Sequence, residues 1–312
     1  MREGLRRVGR ALFVGAAFLF LAISLASQRE ELLAFEWKVE PVRLGLSTLV
    51  LIAVLAVGVW IWARVLRHFG AIIAYRDLAR IWFLSSLGRY IPGKVWQFVG
   101  VAEMSRAASI PALLGITSLL VYMGFLVLAA GLVSIYLLPS TAAGPLADVF
   151  PVIRLCAPLL LIATHPRVLN SVISVMSKMM KRQLAPWGGS WTAALALVAV
   201  AAGVWVGFGA AFHLFLSSLA EVPSNQFGAL TAVYALSFLA GHLAFVAPAG
   251  LGAKDGAMAL LLSVVLPTPI GVAAALSVAA RIWSIVGDVV PALFFLLGSK
   301  TRGATSSRSV TP

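Results

Sequence analysis

The sequence predicts an all-α, polytopic membrane protein with about six membrane-crossing helices and two re-entrant helical hairpins, which enter the membrane and return to the same face. Hydrophobic residues make up 61% of the 312 residues and charged residues only 11%, whereas a soluble domain averages about 25% charged residues. Several apolar segments reach the ~20 residues that a helix needs to cross a bilayer. Two other apolar stretches are interrupted by proline, glycine and charged side chains, which a helix in lipid does not tolerate.

The predicted crossing helices are separated by short loops along the whole chain. Six segments are long and apolar enough, some only when tilted: 8–27, 42–63, 111–138, 148–164, 189–219 and 270–297. The first of them follows a basic N-terminus, as a signal peptide does, but it is long enough to cross and no cleavage site follows it. We therefore interpret it as a retained helix.

The first interrupted segment places two cations beside a Pro-Gly break. It comprises Arg89, Tyr90, Ile91, Pro92, Gly93, Lys94, Val95 and Trp96. Pro92 and Gly93 end one half-helix, and a second half-helix can begin near Lys94, with its N–H groups and positive dipole end directed at the turn. A charged side chain in the membrane costs about 3 kcal/mol, so it usually has a partner or lines a polar cavity. The alternative is that Arg89 and Lys94 only reach the lipid headgroups by snorkelling.

The second interrupted segment is richer in glycine. It comprises Pro248, Ala249, Gly250, Leu251, Gly252, Ala253, Lys254 and Asp255. Gly250 and Gly252 permit close approach by a ligand. Lys254 and Asp255 open the helix that follows, predicted over 253–266. Asp255 suits a helix N-terminus, whereas Lys254 is unfavourable there unless an anion or Asp255 compensates it.

The distribution of Lys and Arg predicts the topology. Basic groups alternate with loops that are poor in Lys and Arg, as in proteins that follow the positive-inside rule. This pattern places both termini in the cytoplasm. It holds only if segment 77–106 enters from the cytoplasm and returns, and if segment 225–266 does the same from the opposite face. The tail 299–312 is predicted to be basic, cytoplasmic and disordered.

The spacing of the two breaks suggests an internal repeat. Pro92 and Pro248 lie 156 residues apart, half the length of the chain. Interrupted segments at corresponding positions of two halves are typical of inverted-repeat transporters. An inverted repeat would divide the domain 1–298 into halves 1–156 and 157–298.

Two charged residues interrupt the last predicted helix. Arg281 and Asp288 are seven residues apart, so they share a face but lie about 10 Å apart, too far for a direct pair. Arg281 could meet a lipid phosphate or Asp255, and Asp288 could receive Lys94 or Arg89. A purely structural salt bridge is the alternative for both.

Signatures of enzymes, metals and nucleic-acid binding are missing from the sequence. The four His residues have no metal-ligand spacing, and no carboxylates are paired for acid–base chemistry. Cys156 is the single cysteine, which excludes an intramolecular disulfide. The net charge of +13 is concentrated in groups that flank membrane segments, so it does not indicate a nucleic-acid partner. We predict no catalytic residue, no metal and no cofactor.

The two interrupted segments together resemble a known family. Tyr90-Ile91-Pro92-Gly93-Lys94-Val95-Trp96 resembles the Tyr-x-Pro-Gly signature of the lysylphosphatidylglycerol synthase transmembrane-domain family, also called flippase-like membrane proteins. The segment from Pro248 to Asp255 is similar to that family's second signature, usually read as Pro-Gly-Gly-Leu-Gly-x-x-Glu, with Ala249 in place of a glycine. Arg281 matches an arginine of the family's final helix. The resemblance covers roughly residues 10–300.

The resemblance implies a flippase-like domain over 1–298 in the cell membrane, without the soluble aminoacyltransferase domain of the synthase. Such a domain would move an anionic or modified lipid headgroup (aminoacylated, glycosylated or polyprenyl-phosphate). Its predicted substrate-binding residues are Arg89, Tyr90, Pro92, Gly93, Lys94, Trp96, Pro248, Gly250, Gly252, Lys254, Asp255, Arg281 and Asp288. The cations among them would meet phosphate, and the two Asp residues would balance charge or carry a coupling proton.

Three functional hypotheses remain open from the sequence. The first is lipid transport, with anionic membrane lipids as partners. The second is a membrane subunit of a glycolipid or lipid-modifying transferase, which would need a lipid-modifying enzyme as partner. The third is a protein that binds anionic lipid without moving it.

Overall fold

The computed structural model describes residues 35, 37–90, 95–243 and 252–306, and all regular structure in them is helical. The α-helices are α1 Pro41–His68, α2 Tyr75–Ser86, α3 Trp96–Ala107, α4 Ala112–Leu137, α5 Phe150–Cys156, α6 Pro166–Met180, α7 Trp191–Ser217, α8 Phe227–Leu243, α9 Ala253–Val265 and α10 Ile270–Ser306. Short 3₁₀ segments lie at Leu87–Tyr90, Ser140–Leu146, Ala157–Thr164 and Ser224–Gln226.

Five helices in the described residues are long and apolar enough to cross a membrane: α1, α4, α7, Ser224–Leu243 and Ile270–Leu297. Four of them coincide with the predicted segments 42–63, 111–138, 189–219 and 270–297, so these predictions of helices are confirmed. Ser224–Leu243 was predicted only as an arm of a hairpin. The predicted helix 8–27 lies outside the described residues.

The predicted span 148–164 is not a single straight helix. It forms α5 and the 3₁₀ segment Ala157–Thr164, and it bends by 61° into α6, so that it reaches the length of a span only together with α6. The bend follows from Pro166, because a residue before proline is pushed out of the helical region, and His165 has extended backbone angles (φ −62°, ψ 134°). At the other end of the chain, α10 continues to Ser306, beyond the start of the predicted tail at 299, and residues 307–312 are not described.

Two long helices, α1 and α7, pack against each other as an antiparallel pair. The N–H of Gly188, just before α7, donates to the carbonyl of His68 at the end of α1 (3.0 Å). At the opposite end, Arg43 Nη1 donates to the carbonyl of Ser217 (3.3 Å). α1 and α7 therefore run in opposite directions along their whole length.

Two buried tryptophans join this pair to α4. Trp62 of α1 donates its indole N–H to Ser118 Oγ (3.1 Å), and Trp205 of α7 donates to the carbonyl of Leu126 (2.9 Å). A buried indole stabilises a core only when its polar N–H finds an acceptor. Both tryptophans meet that requirement, so they fix the position of α4 against α1 and α7.

The contacts between helices follow a symmetric pattern. Among the eight helices α1–α4 and α7–α10, the same pairs are in contact after α1 is exchanged with α7, α2 with α8, α3 with α9 and α4 with α10. For example, α2 packs on α3 as α8 packs on α9, and α2 packs on α10 as α8 packs on α4. The two halves of the chain therefore place corresponding helices in corresponding surroundings.

The helices α2 and α3 form one helical hairpin, the first, and α8 and α9 form the second. Close packing in the first hairpin depends on Gly88. A Cβ at this position would lie 2.8 Å from the carbonyl carbon of Trp96 and from the backbone nitrogen of Gln97. We expect Gly88→Ala to separate the two arms of the hairpin and to cost about 1–3 kcal/mol of stability, measured as a lower melting temperature in detergent. Gly131→Ala on α4 is the control, because no atom lies within 4 Å of its Cβ position. Equal melting temperatures for the two variants would contradict this packing.

Candidate functional site

Residues that flank both breaks in the chain converge on one helix, α10. The breaks themselves lie outside the described residues, and with them five predicted site residues: Pro92, Gly93, Lys94, Pro248 and Gly250. The remaining predicted residues are described. Trp96 opens α3 with its side chain about half exposed (48%).

The first hairpin is joined to α10 through Asp288, which is buried (4% exposed). Tyr90 Oη donates a hydrogen bond to Asp288 Oδ2 (2.6 Å), and Arg89 Nη1 lies 3.5 Å from the same oxygen. Arg89 is also held by its own helix, because its Nε donates to the carbonyl of Ser86 (3.1 Å). Of the two partners predicted for Asp288, the structure shows Arg89.

The second hairpin is joined to α10 through a bidentate ion pair. Arg281 Nε donates to Asp255 Oδ1 (2.9 Å), and Arg281 Nη2 donates to Asp255 Oδ2 (2.5 Å). Two parallel charge-assisted bonds fix both distance and orientation. Ser277 of α10 adds a hydrogen bond to the carbonyl of Asp255 (3.0 Å). Of the two partners predicted for Arg281, the structure shows Asp255.

Asp255 also organises the N-terminus of α9. Its Oδ2 accepts a hydrogen bond from the backbone N–H of Gly252 (3.3 Å). Gly252 has a φ of 84°, a conformation that glycine adopts without strain. Asp255, three residues after Gly252, therefore both caps the start of α9 and pairs with Arg281 of α10.

Lys254 points in another direction. Its Nζ lies 5.2 Å from the centroid of the Tyr234 ring, within the range of a cation–π interaction. The Tyr234 ring contacts Trp283 of α10 (6.3 Å between centroids). Within the described residues Lys254 forms no ion pair, so its charge is balanced there only by the aromatic face.

The two ion pairs lie at different levels of α10. Arg281 and Asp288 are seven residues apart, which is about 10.5 Å along the helix axis. Gly287, next to Asp288, packs directly against Leu51, the eleventh of the 28 residues of α1. The Asp288 cluster therefore lies beside the interior of α1, away from both of its ends, and α1 is long enough to cross the membrane.

Three buried N–H donors on α2, α3 and α10 have no acceptor among the described residues: Trp82 Nε1, Gln97 Nε2 and Trp283 Nε1. Arg89 Cζ lies 6.0 Å from the centroid of the Trp82 ring, and the backbone nitrogen of Gln97 lies against Gly88, next to Arg89. Trp283 is on the opposite side of α10 from Arg281 and Asp288, because two residues correspond to a turn of about 200°, and its ring stacks on Phe215 of α7 (4.9 Å between centroids). A buried donor without an acceptor costs about 1–3 kcal/mol. A ligand rich in acceptor oxygens would remove that cost.

Sequence reasoning did not find all of these residues. Gln97 carried a usable signal, since it is a lone amide directly after the first interrupted segment. Tyr234, Trp82 and Trp283 carried none, because aromatic residues are common in apolar helices. Among the described residues no group of three or more His, Cys, Asp or Glu could hold a metal ion.

Comparison of the chain with protein-family models, with curated proteins and with solved structures finds no match. The resemblance to the flippase-like family therefore stays a prediction, carried by the two interrupted segments and Arg281.

Proposed function

We propose that the protein moves an anionic or modified lipid headgroup across the membrane, through a site formed by the two chain breaks and α10. One observation carries the proposal: charged residues beside both breaks are tied to the same helix. Interrupted helices at corresponding positions of two halves supply the substrate site in many secondary transporters. This arrangement gives a reason for the charged residues in these membrane segments, where each charge raises the free energy of insertion.

The charge balance favours an anionic substrate. Arg89, Lys254 and Arg281 carry three positive charges, and Asp255 and Asp288 carry two negative ones. A phosphate would neutralise the excess positive charge. It could also replace a carboxylate as partner of either arginine, and an exchange of partners avoids an uncompensated charge in the membrane. The unpaired N–H donors of Trp82 and Gln97, on the two helices that flank Arg89, suit the remaining phosphate oxygens.

The symmetric contacts support an inverted repeat. α1 and α7 exchange places under the symmetry and run antiparallel, as halves of opposite orientation require. One arm of each hairpin lies at an opposite end of α4. The end of α3 contacts the start of α4 through Ser105 and Gly115, whereas Gly228, the second residue of α8, lies near Leu137 at the other end of α4. We therefore interpret α2–α3 and α8–α9 as re-entrant hairpins from opposite faces.

This topology suits alternating access in the cell membrane. A headgroup bound between the two breaks would be reached from the cytoplasm past one hairpin and from the opposite face past the other. With both termini in the cytoplasm, the first hairpin is the cytoplasmic one. Transport would be driven by a gradient, by exchange or by facilitated flow, since the sequence contains no nucleotide-binding motif.

A headgroup-resolved flipping assay in proteoliposomes tests this function. We expect the protein to accelerate the movement of at least one lipid among phosphatidylglycerol, lysylphosphatidylglycerol, a glycolipid and a polyprenyl phosphate, compared with phosphatidylcholine. Arg106→Gln is the charge-matched control, because Arg106 pairs with Glu103 at the surface, and it should keep wild-type rates. Arg89→Gln should lose the acceleration. Rates equal to those of protein-free vesicles for every headgroup would refute the proposal.

A further inference from the structure

We infer a second lipid site, on the outer face of α1 and α2, in which an anionic phospholipid places an acyl chain between Trp60 and Tyr75 and its phosphate on Arg64. This site is separate from the α10 site. Leu51 of α1 packs against α10 and is buried, whereas Trp60, Arg64 and Tyr75 are exposed. Occupancy is therefore expected whether or not the protein transports lipid.

One face of α1 is exposed along its whole length. Its residues recur every three or four positions: Val42, Leu46, Leu49, Ala53, Val57, Trp60, Arg64 and Arg67. This spacing places them on a single stripe. Along the stripe the side chains change from aliphatic to aromatic to cationic, the same order as the acyl chain, interface and phosphate of a phospholipid whose headgroup lies at the C-terminal end of α1.

An open cleft of about 410 Å³ lies at the edge of the stripe, between α1 and the start of α2, and is lined by Ala56, Val57, Trp60 and Tyr75. Tyr75 is held as a wall of this cleft, because its hydroxyl donates to the carbonyl of Ala56 (2.8 Å). Arg64 lies at the headgroup end, with Cζ 4.7 Å from the centroid of the Trp60 ring. Stacking on Trp60 orients the guanidinium and leaves its N–H groups able to donate to a phosphate.

The charge around the cleft is complementary to an anion. Arg64, Arg67, Arg76 and Arg80 are all exposed, and in the part of the chain that the structure describes none of them has a carboxylate partner. Asp77 is the acid closest in sequence, and it forms no ion pair there. Two other exposed arginines do pair with carboxylates: Arg43 with Glu40, and Arg106 with Glu103. The cleft thus combines an apolar wall with cations that have no carboxylate partner among the described residues.

Quenching of tryptophan fluorescence by brominated lipids tests this site. Purified protein is reconstituted with phosphatidylglycerol or phosphatidylcholine that carry the same brominated acyl chains, and the contribution of Trp60 is the difference between wild type and Trp60→Phe. We expect this contribution to be quenched at lower mole fractions of phosphatidylglycerol than of phosphatidylcholine. Arg64→Gln should weaken the preference about fivefold, the effect of one cation near an anionic headgroup.

Arg43→Gln is the charge-matched control, because Arg43 lies near the opposite end of α1, about 31 Å from Arg64 along the helix axis, and it should keep the preference. Equal quenching by the two lipids in the wild type would overturn the inference, and so would an unchanged preference in Arg64→Gln. If Trp60→Phe does not fold, native mass spectrometry replaces the fluorescence readout: Arg64→Gln should retain one phosphatidylglycerol fewer than Arg43→Gln, and equal numbers would overturn the inference. Release of the lipid by excess inorganic phosphate would also overturn the inference, because contacts between the acyl chain and the cleft would then add nothing to the affinity for the lipid.

Discussion

Arg281→Gln is expected to destabilise the protein by about 3 kcal/mol and to abolish lipid transport. The variant leaves Asp255 without its bidentate partner, and both side chains are largely buried (19% and 16% exposed). Removal of one member of such a pair is costly because it leaves an uncompensated buried charge. The measurement is the melting temperature in detergent together with the flipping rate in proteoliposomes.

The double variant Asp255→Asn/Arg281→Gln separates structure from function. It removes both charges at once, so much of the lost stability should return. Transport should not return, because the phosphate would have lost its guanidinium partner. Wild-type transport in the double variant would show that the pair is only structural. As a control, Arg106→Gln breaks an exposed pair with Glu103 and should change stability by about 0.5 kcal/mol or less.

Asp288→Asn is expected to slow lipid transport about tenfold or more and to cost about 2 kcal/mol of stability. The amide keeps the shape of the side chain but leaves Arg89 without its charge partner. The stability cost lies at the lower end for a broken buried pair, because the Arg89 side chain is 34% exposed. A tenfold slower step corresponds to about 1.4 kcal/mol in the barrier. The flipping rate and the melting temperature are the two readouts.

Tyr90→Phe is the matched partner of Asp288→Asn. It removes only the hydroxyl that donates to Asp288 (2.6 Å), so it should cost about 1 kcal/mol and leave the Arg89 pair intact. If Tyr90→Phe slows transport as much as Asp288→Asn, the hydrogen bond and not the ion pair is the essential contact. If neither variant changes transport, the cluster at Asp288 has no part in it.

Local pattern was enough to locate most of the helices. The apolar lengths of 42–63, 111–138, 189–219 and 270–297 each correspond to a long helix in the structure, because a helix in lipid must satisfy its backbone within one continuous segment. The segment 148–164 differed, since it reaches the length of a span only across the bend at His165. Apolar length alone does not report the angle between two consecutive helices.

The sequence narrowed the partners of the charged residues to a few candidates. Arg281 and Asp288 are seven residues apart on one helix, which excluded a direct pair and required a partner on another element for each. The choice between Asp255 and a lipid phosphate, or between Arg89 and Lys94, depended on how the hairpins pack against α10. Such packing joins residues that are far apart in sequence, so no local period reveals it.

By itself, the sequence determined the membrane class, the position of the two chain breaks and the residue types beside them, because hydrophobicity and the loss of helical hydrogen bonds at proline act locally. Only the tertiary structure decided that residues beside both breaks are tied to α10, that α1 and α7 are antiparallel, and that Trp82 lies near Arg89. The physical reason is that ion pairs and buried donors find their partners across helices, where side-chain packing and not sequence distance sets which atoms meet.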